Sequence, residues 1–165
     1  MPKSAVTIVS IWGGTGSGKT TLAKSLAAQY PDLISRVPMD RYILPRSGTL
    51  ASVWKKPLRF DWSLFRSQLD KSKLGDEVHV PLFDYDDFTR PELKSKKSFI
   101  IKPLLLLDAL APCPFADEHL FLDVEAEMRK KRVKKRDAEH GLQIMQRWEW
   151  LEFSLFFWQQ VSNFN

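Results

Sequence analysis

The sequence predicts an α/β fold with a mainly parallel sheet, and three observations carry that expectation. Short β-branched or leucine-rich runs alternate with longer segments of helical periodicity. A glycine-rich turn joins the first such run to the first helical segment. An all-leucine run meets an aspartate at its end, Leu104-Leu105-Leu106-Leu107-Asp108.

Each element follows from its own residues. Val6 to Ile11 is β-branched and short, the pattern of a buried strand, and it stops at Gly13-Gly14. Thr20 to Tyr30 is helical and is ended by Pro31. Leu33 to Val37 is a second strand closed by Pro38, and residues 39 to 61 are irregular, broken by Pro45, Gly48 and Pro57. From Trp62 to Leu69 the apolar side chains share one helical face, with Asp61 placed as its N-cap. Val78 to Phe83 is extended, as is Phe99 to Ile101. The leucine run is the stronger buried strand, with Pro103 at its beginning. His119 to Val124 is a further strand. Glu125 to His140 is a charged helix with Gly141 as C-cap, and Leu142 to about Val161 is an apolar one.

Length and composition bound the function. A chain of 165 residues, 44% hydrophobic and 27% charged, is expected to form one folded domain over residues 1–165. The lone Cys113 forms no internal disulfide, and no cysteine–histidine spacing suggests zinc. No stretch approaches the roughly 20 apolar residues of a membrane span, and six β-type residues after Ser4 are too few for a secretory signal. The expected compartment is the cytoplasm. The net charge of +5 suggests a polyanionic partner.

The motif that names the chemistry is Gly13-Gly14-Thr15-Gly16-Ser17-Gly18-Lys19-Thr20, followed by Thr21. Its spacing, G-x-x-x-x-G-K-T between a strand and a helix, is that of a phosphate-binding loop. Backbone N–H groups approach phosphate oxygens there, Lys19 reaches the β- and γ-phosphates, and the Thr20 hydroxyl ligates Mg²⁺. Asp108, at the end of the leucine strand, is the candidate acid beside that metal. The fold expected is therefore a three-layer P-loop NTPase binding ATP or GTP with Mg²⁺.

With these residues in view, the sequence resembles the uridine kinase family, within the group that includes phosphoribulokinase and pantothenate kinase. The resemblance runs from Ile8 to about Gln143 and rests on the P-loop, on Met39-Asp40-Arg41-Tyr42, on Pro57 through Trp62, on Val80 through Arg90, and on Phe121 through Gly141. It implies that Asp40 takes the proton of the acceptor hydroxyl, and that Tyr42, Phe83, Asp84 and Arg90 surround the acceptor. It also implies an arginine-rich lid over ATP, about residues 125–141. The departures lie at the acceptor. Lys55 stands where the family's uridine kinases carry an acid, and Phe83 and Phe88 stand where an aromatic and a histidine meet the uracil. Lys55, Lys56 and Arg59 would favour an anionic acceptor, or form a solvated basic loop.

Residues 129–136 carry seven positive charges, and without them the chain has 18 basic against 20 acidic residues. Arg129, Arg132 and Arg136 fall on one helix face, where guanidinium forks could clamp phosphate; a solvated helix or a nucleic-acid patch are the alternatives. The aromatic helix, about 142–161, suits core packing or a homo-oligomer interface. The resulting expectation is a small-molecule kinase that transfers the γ-phosphate of ATP to a hydroxyl of a nucleoside-like or anionic metabolite. Lys19, Asp40, Arg132 and Arg136 would be catalytic, Arg129 and Lys55 would bind substrate, and neither nucleic acid nor membrane would be a partner. The competing expectations are a non-catalytic or weakly hydrolytic nucleotide-binding protein and, below it, a nucleic-acid-binding NTPase.

Overall fold

The computed structural model describes residues 6–45, 57–74, 76–84, 89–91 and 98–162. In chain order these form β1 (Thr7–Trp12), α1 (Lys19–Gln29), β2 (Ile34–Pro38), a 3₁₀ turn (Met39–Tyr42) and α2 (Trp62–Lys73). Then come β3 (Val78–His79), β4 (Ser98–Phe99), β5 (Leu104–Ala109), β6 (Glu118–Phe121), α3 (Ala126–His140) and α4 (Trp148–Ser162). Strands β2, β5, β1 and β6 make one parallel sheet in that spatial order, and β3 with β4 makes a small antiparallel pair.

Strand alternation builds the layers. On β5, Leu105, Leu107 and Ala109 turn to the larger core, while Leu106 turns to a second core with Ile11, Ile34 and Ala23 of α1. The larger core takes Phe65 and Leu69 of α2 and Trp150 and Leu155 of α4. Helices thus cover both faces, which is why the leucine strand is apolar on both sides. Each of its fully buried leucines contributes on the order of 2 kcal/mol.

Register brings the functional ends together. Ile11 lies opposite Asp108, and Pro38 lies opposite Asp108 from the other side. The chain leaves β1, β2 and β5 at one edge of the sheet, the edge where ligands bind in parallel α/β folds. Among the described residues, no helix is long and apolar enough to cross a membrane.

Three expected elements differ. Only Val78–His79 of the 78–83 segment pairs as strand, and its partner is Ser98–Phe99, with Ile100 exposed. The pairing spans two residues a side, and Pro81, which cannot donate to a ladder, follows it closely. The helix expected from Leu142 begins at Trp148. Before it, the amide of Met145 donates to Asp137 Oδ2 (2.8 Å), and Ile144–Arg147 is a 3₁₀ turn. Gly141 caps α3 as expected, with φ 63° and its N–H on the Asp137 carbonyl.

Candidate active site

The glycine-rich turn passes from β1 into α1, and its last glycine, Gly18, precedes the helix in a left-handed conformation (φ 98°). Arg129 crowds two of its glycines. A Cβ on Gly14 would lie 2.3 Å from a nitrogen of the Arg129 guanidinium. One on Gly16 (φ 82°) would lie 2.6 Å from the Arg129 carbonyl oxygen. The loop is therefore pressed from one side by the first turns of α3.

On the open side, Lys19 folds back so that Nζ donates to the Gly14 carbonyl (2.8 Å). Burial lowers its pKa to about 8; Asp40 and Asp108 oppose the shift, and Arg129 and Arg136 add to it. Thr20 Oγ1 donates to Asp108 Oδ2 (2.7 Å), so the two candidate metal ligands meet across 88 residues of chain. Asp108 itself is buried. Arg36, on β2, donates from Nη2 to the same Oδ2 (3.0 Å), and its Nε forms an ion pair with Oδ1 at 2.9 Å.

Asp40 lies in the 3₁₀ turn between Met39 and Tyr42, both fully buried, and it turns outward into a cavity of about 890 Å³. Lys19, Thr20, Asp108, Arg132 and Arg136 line the same cavity. Crowding by protein raises the Asp40 carboxyl above its ordinary value. Lys19 opposes that rise most, Asp108 adds to it, and Arg36 and Arg136 oppose it further. The Arg132 guanidinium donates to the Gly16 carbonyl (3.3 Å), and Arg136 buries its Nε without an acceptor among the described residues. The opposite wall is apolar: Ile43, Leu58, Leu110, Trp150 and Leu151.

This cavity suits a nucleotide triphosphate. A lysine forced down in pKa and an arginine nitrogen lacking a partner are cations short of an anion. The Thr20 hydroxyl and the Asp108 carboxylate are two hard oxygen donors, the number Mg²⁺ takes from protein when phosphates and water supply the rest.

Solved structures share this architecture. A provisionally named fructose transport system kinase from Silicibacter sp. TM1040 superposes with a TM-score of 0.59 at 22% identity, covering 92% of this chain and 81% of that one. A possible uridine kinase from Bacillus stearothermophilus gives 0.55 at 19% identity, covering 85% and 88%. The uridine kinase of Streptococcus thermophilus is 28% identical over 149 residues, 84% of this chain and 70% of that enzyme. The chain shares its fold with these kinases. The uridine kinase of Streptococcus agalactiae is likewise 28% identical, over 142 residues, 80% of this chain and 68% of that enzyme. No family model matches the chain.

Within this fold the expected residues separate into two groups. Residues 15, 16 and 18–21 of the loop, with Asp40, Asp108, Arg132 and Arg136, line one cavity. The acceptor residues implied by resemblance do not join them. Tyr42 is fully buried, its hydroxyl donating to Gln68 Oε1 (2.6 Å). Phe83 is in the larger core. Arg90 pairs with Asp61 (2.7 Å) and donates to the carbonyls of Tyr42 and Ile43, bracing the Asp40 turn from behind. Asp84 forms a backbone bridge with Thr89.

Arg129, expected at the substrate, is buried beneath the loop and paired with Glu152, because its position on α3 faces α4 rather than the cavity. Lys55, Lys56 and Phe88 lie outside the described residues. Asp61 is the N-cap of α2, its Oδ1 accepting from the Leu64 amide (2.9 Å). Arg36 was not anticipated, although a lone arginine in a short strand of an interior sheet demands a partner.

Proposed function

We propose that the protein transfers the γ-phosphate of ATP to a hydroxyl of a small acceptor, with Asp40 as the base. The observation that carries this reading is the shared cavity of Asp40, Lys19, the Thr20–Asp108 pair, Arg132 and Arg136. The acceptor oxygen bonds to the γ-phosphorus as the bridge to the β-phosphate breaks, and the acceptor's proton passes to Asp40. The raised pKa of Asp40 makes it a stronger base than an ordinary carboxylate. Lys19 and the loop amides hold the phosphates, and Arg132 and Arg136 offset charge on the transferring group. Mg²⁺, held through Thr20 and Asp108, would supply charge neutralisation between the phosphates. Arg132 and Arg136, the two cations of the basic run that line this cavity, fit a triphosphate as the polyanion.

The cavity's apolar wall and the cations at its rim suit an acceptor that is nucleoside-like or anionic. The test is ADP release with ATP and Mg²⁺ across nucleosides, sugar phosphates, pantothenate and glycerate. Release that rises at least tenfold with one acceptor supports the reading, and release independent of every acceptor refutes it. A second reading, a nucleotide-binding protein with little or no transfer, is favoured by the structural use of Tyr42, Phe83 and Arg90.

A further inference from the structure

Arg129 makes more polar contacts than its place on a basic helix requires. Its two terminal nitrogens form a bidentate pair with Glu152 of α4, at 2.6 and 2.8 Å. Nε donates to the Val124 carbonyl at the exit of β6 (2.8 Å), and Nη1 also reaches the Thr15 carbonyl of the glycine loop (3.4 Å). The guanidinium lies 5.4 Å over the Trp148 ring. Its side chain is 5% exposed, and it occupies the space a side chain at Gly14 would need. One carboxylate cannot meet all five guanidinium protons, and here four hydrogen bonds reach three separate segments.

We propose that Arg129 is a positioning residue for the phosphate loop, oriented by Glu152, so that the docking of α4 sets the conformation of residues 14–16. Glu152 fixes the plane of the fork. The fork in turn holds the Thr15 carbonyl back, away from the cavity where backbone N–H groups must face outward. A buried arginine without its carboxylate would be drawn toward the nearest remaining acceptors, which are loop carbonyls. The same contacts fasten the N-terminal half of α3 to the glycine loop. This assignment rests on the nucleotide-binding reading only for its consequence, not for its geometry.

The test uses Arg129→Lys, which keeps charge but loses the fork, and Glu152→Gln, which keeps shape but loses charge. Two measurements are made on the full chain well below its thermal transition. Hydrogen exchange is followed in peptides covering residues 13–20, β5 and α4. Affinity for a fluorescent ATP analogue is measured by titration. The expected result is faster exchange at residues 13–20 in both variants with β5 unchanged, and analogue affinity about tenfold weaker, the size of a lost charge-assisted bond. Faster exchange confined to α4, with residues 13–20 and affinity unchanged, would overturn the assignment, because the pair would then only dock two helices. If Arg129→Lys does not fold, Glu152→Gln decides by the same two readouts. A wild-type chain that binds no analogue would refute the nucleotide reading, while exchange at residues 13–20 would still decide the role of Arg129.

Discussion

The charge state of Lys19 couples affinity for a triphosphate to pH, and the size of the coupling follows from its surroundings. Burial lowers the Lys19 pKa to about 8. At pH 7 roughly 90% of the chains carry the ammonium, and at pH 9 roughly 10% do. A bound triphosphate restores the ammonium by direct charge attraction, so the unliganded form must take up a proton to bind. The dissociation constant for ATP therefore rises about tenfold between pH 7 and pH 9, a range in which the phosphate's own ionisation is already complete or nearly so.

Stability moves the other way. The folded pKa is below the unfolded value of 10.5, so between about pH 8 and 10.5 the unfolded chain holds more protons. The penalty for burying the ammonium, present in full below pH 8, is relieved as pH rises through that window. The assay is titration with a fluorescent ATP analogue at pH 7, 8 and 9, in the wild type and in Lys19→Met. The variant is expected to bind more weakly at pH 7 and to show no slope. A flat wild-type profile, or an equal slope in both proteins, would refute the reasoning.

Replacing Asp40 by Asn removes the base and leaves the loop intact. Turnover is expected to fall about 10²- to 10⁴-fold, with analogue affinity within about threefold; ADP release and titration check this. In the wild type, activity is lost as pH falls through the raised Asp40 pKa, above the ordinary carboxylate range, and a rate limb at the ordinary value would count against Asp40. Asp61→Ala loses both the α2 cap and the partner of Arg90, and should cost about 2–3 kcal/mol. A shift in urea midpoint worth less than about 0.5 kcal/mol would contradict that role. Cys113 is fully buried and its thiol is pushed up to about 11. At pH 8 it should resist thiol reagents until the chain unfolds, and reaction with the folded protein at the unfolding-independent rate of an exposed thiol would contradict its burial.

What was legible in the sequence was local. The P-loop, the leucine strand ending in Asp108, the Asp61 cap and the Gly141 cap each declare themselves within a few residues, and each stands where expected. What was not legible depends on partners far along the chain. Arg36 acquires its meaning from Asp108, 72 residues away. Arg129 shares a helix face with Arg132 and Arg136 by spacing, but a carboxylate on α4 and a tight approach to Gly14 draw it inward. Tyr42 and Phe83 resemble acceptor residues in local pattern, and apolar packing claims them instead, since a buried aromatic contributes more to the core than to a wet rim.

The backbone of Leu58 has a particular dependence. Its amide donates to Ser154 Oγ (2.9 Å) and its carbonyl accepts from Trp158 Nε1 (2.8 Å), so both groups are satisfied by side chains of α4. These contacts close loops of 96 and 100 residues, whereas the P-loop forms between adjacent elements. Loops of that size carry a closure entropy that is repaid only once the intervening sheet has formed. Refolding should therefore deliver β1, the glycine turn and α1 early, and both the final setting of residues 14–16 and the wall opposite them late. A chain with its sheet complete would still lack one side of its cavity until α4 arrives.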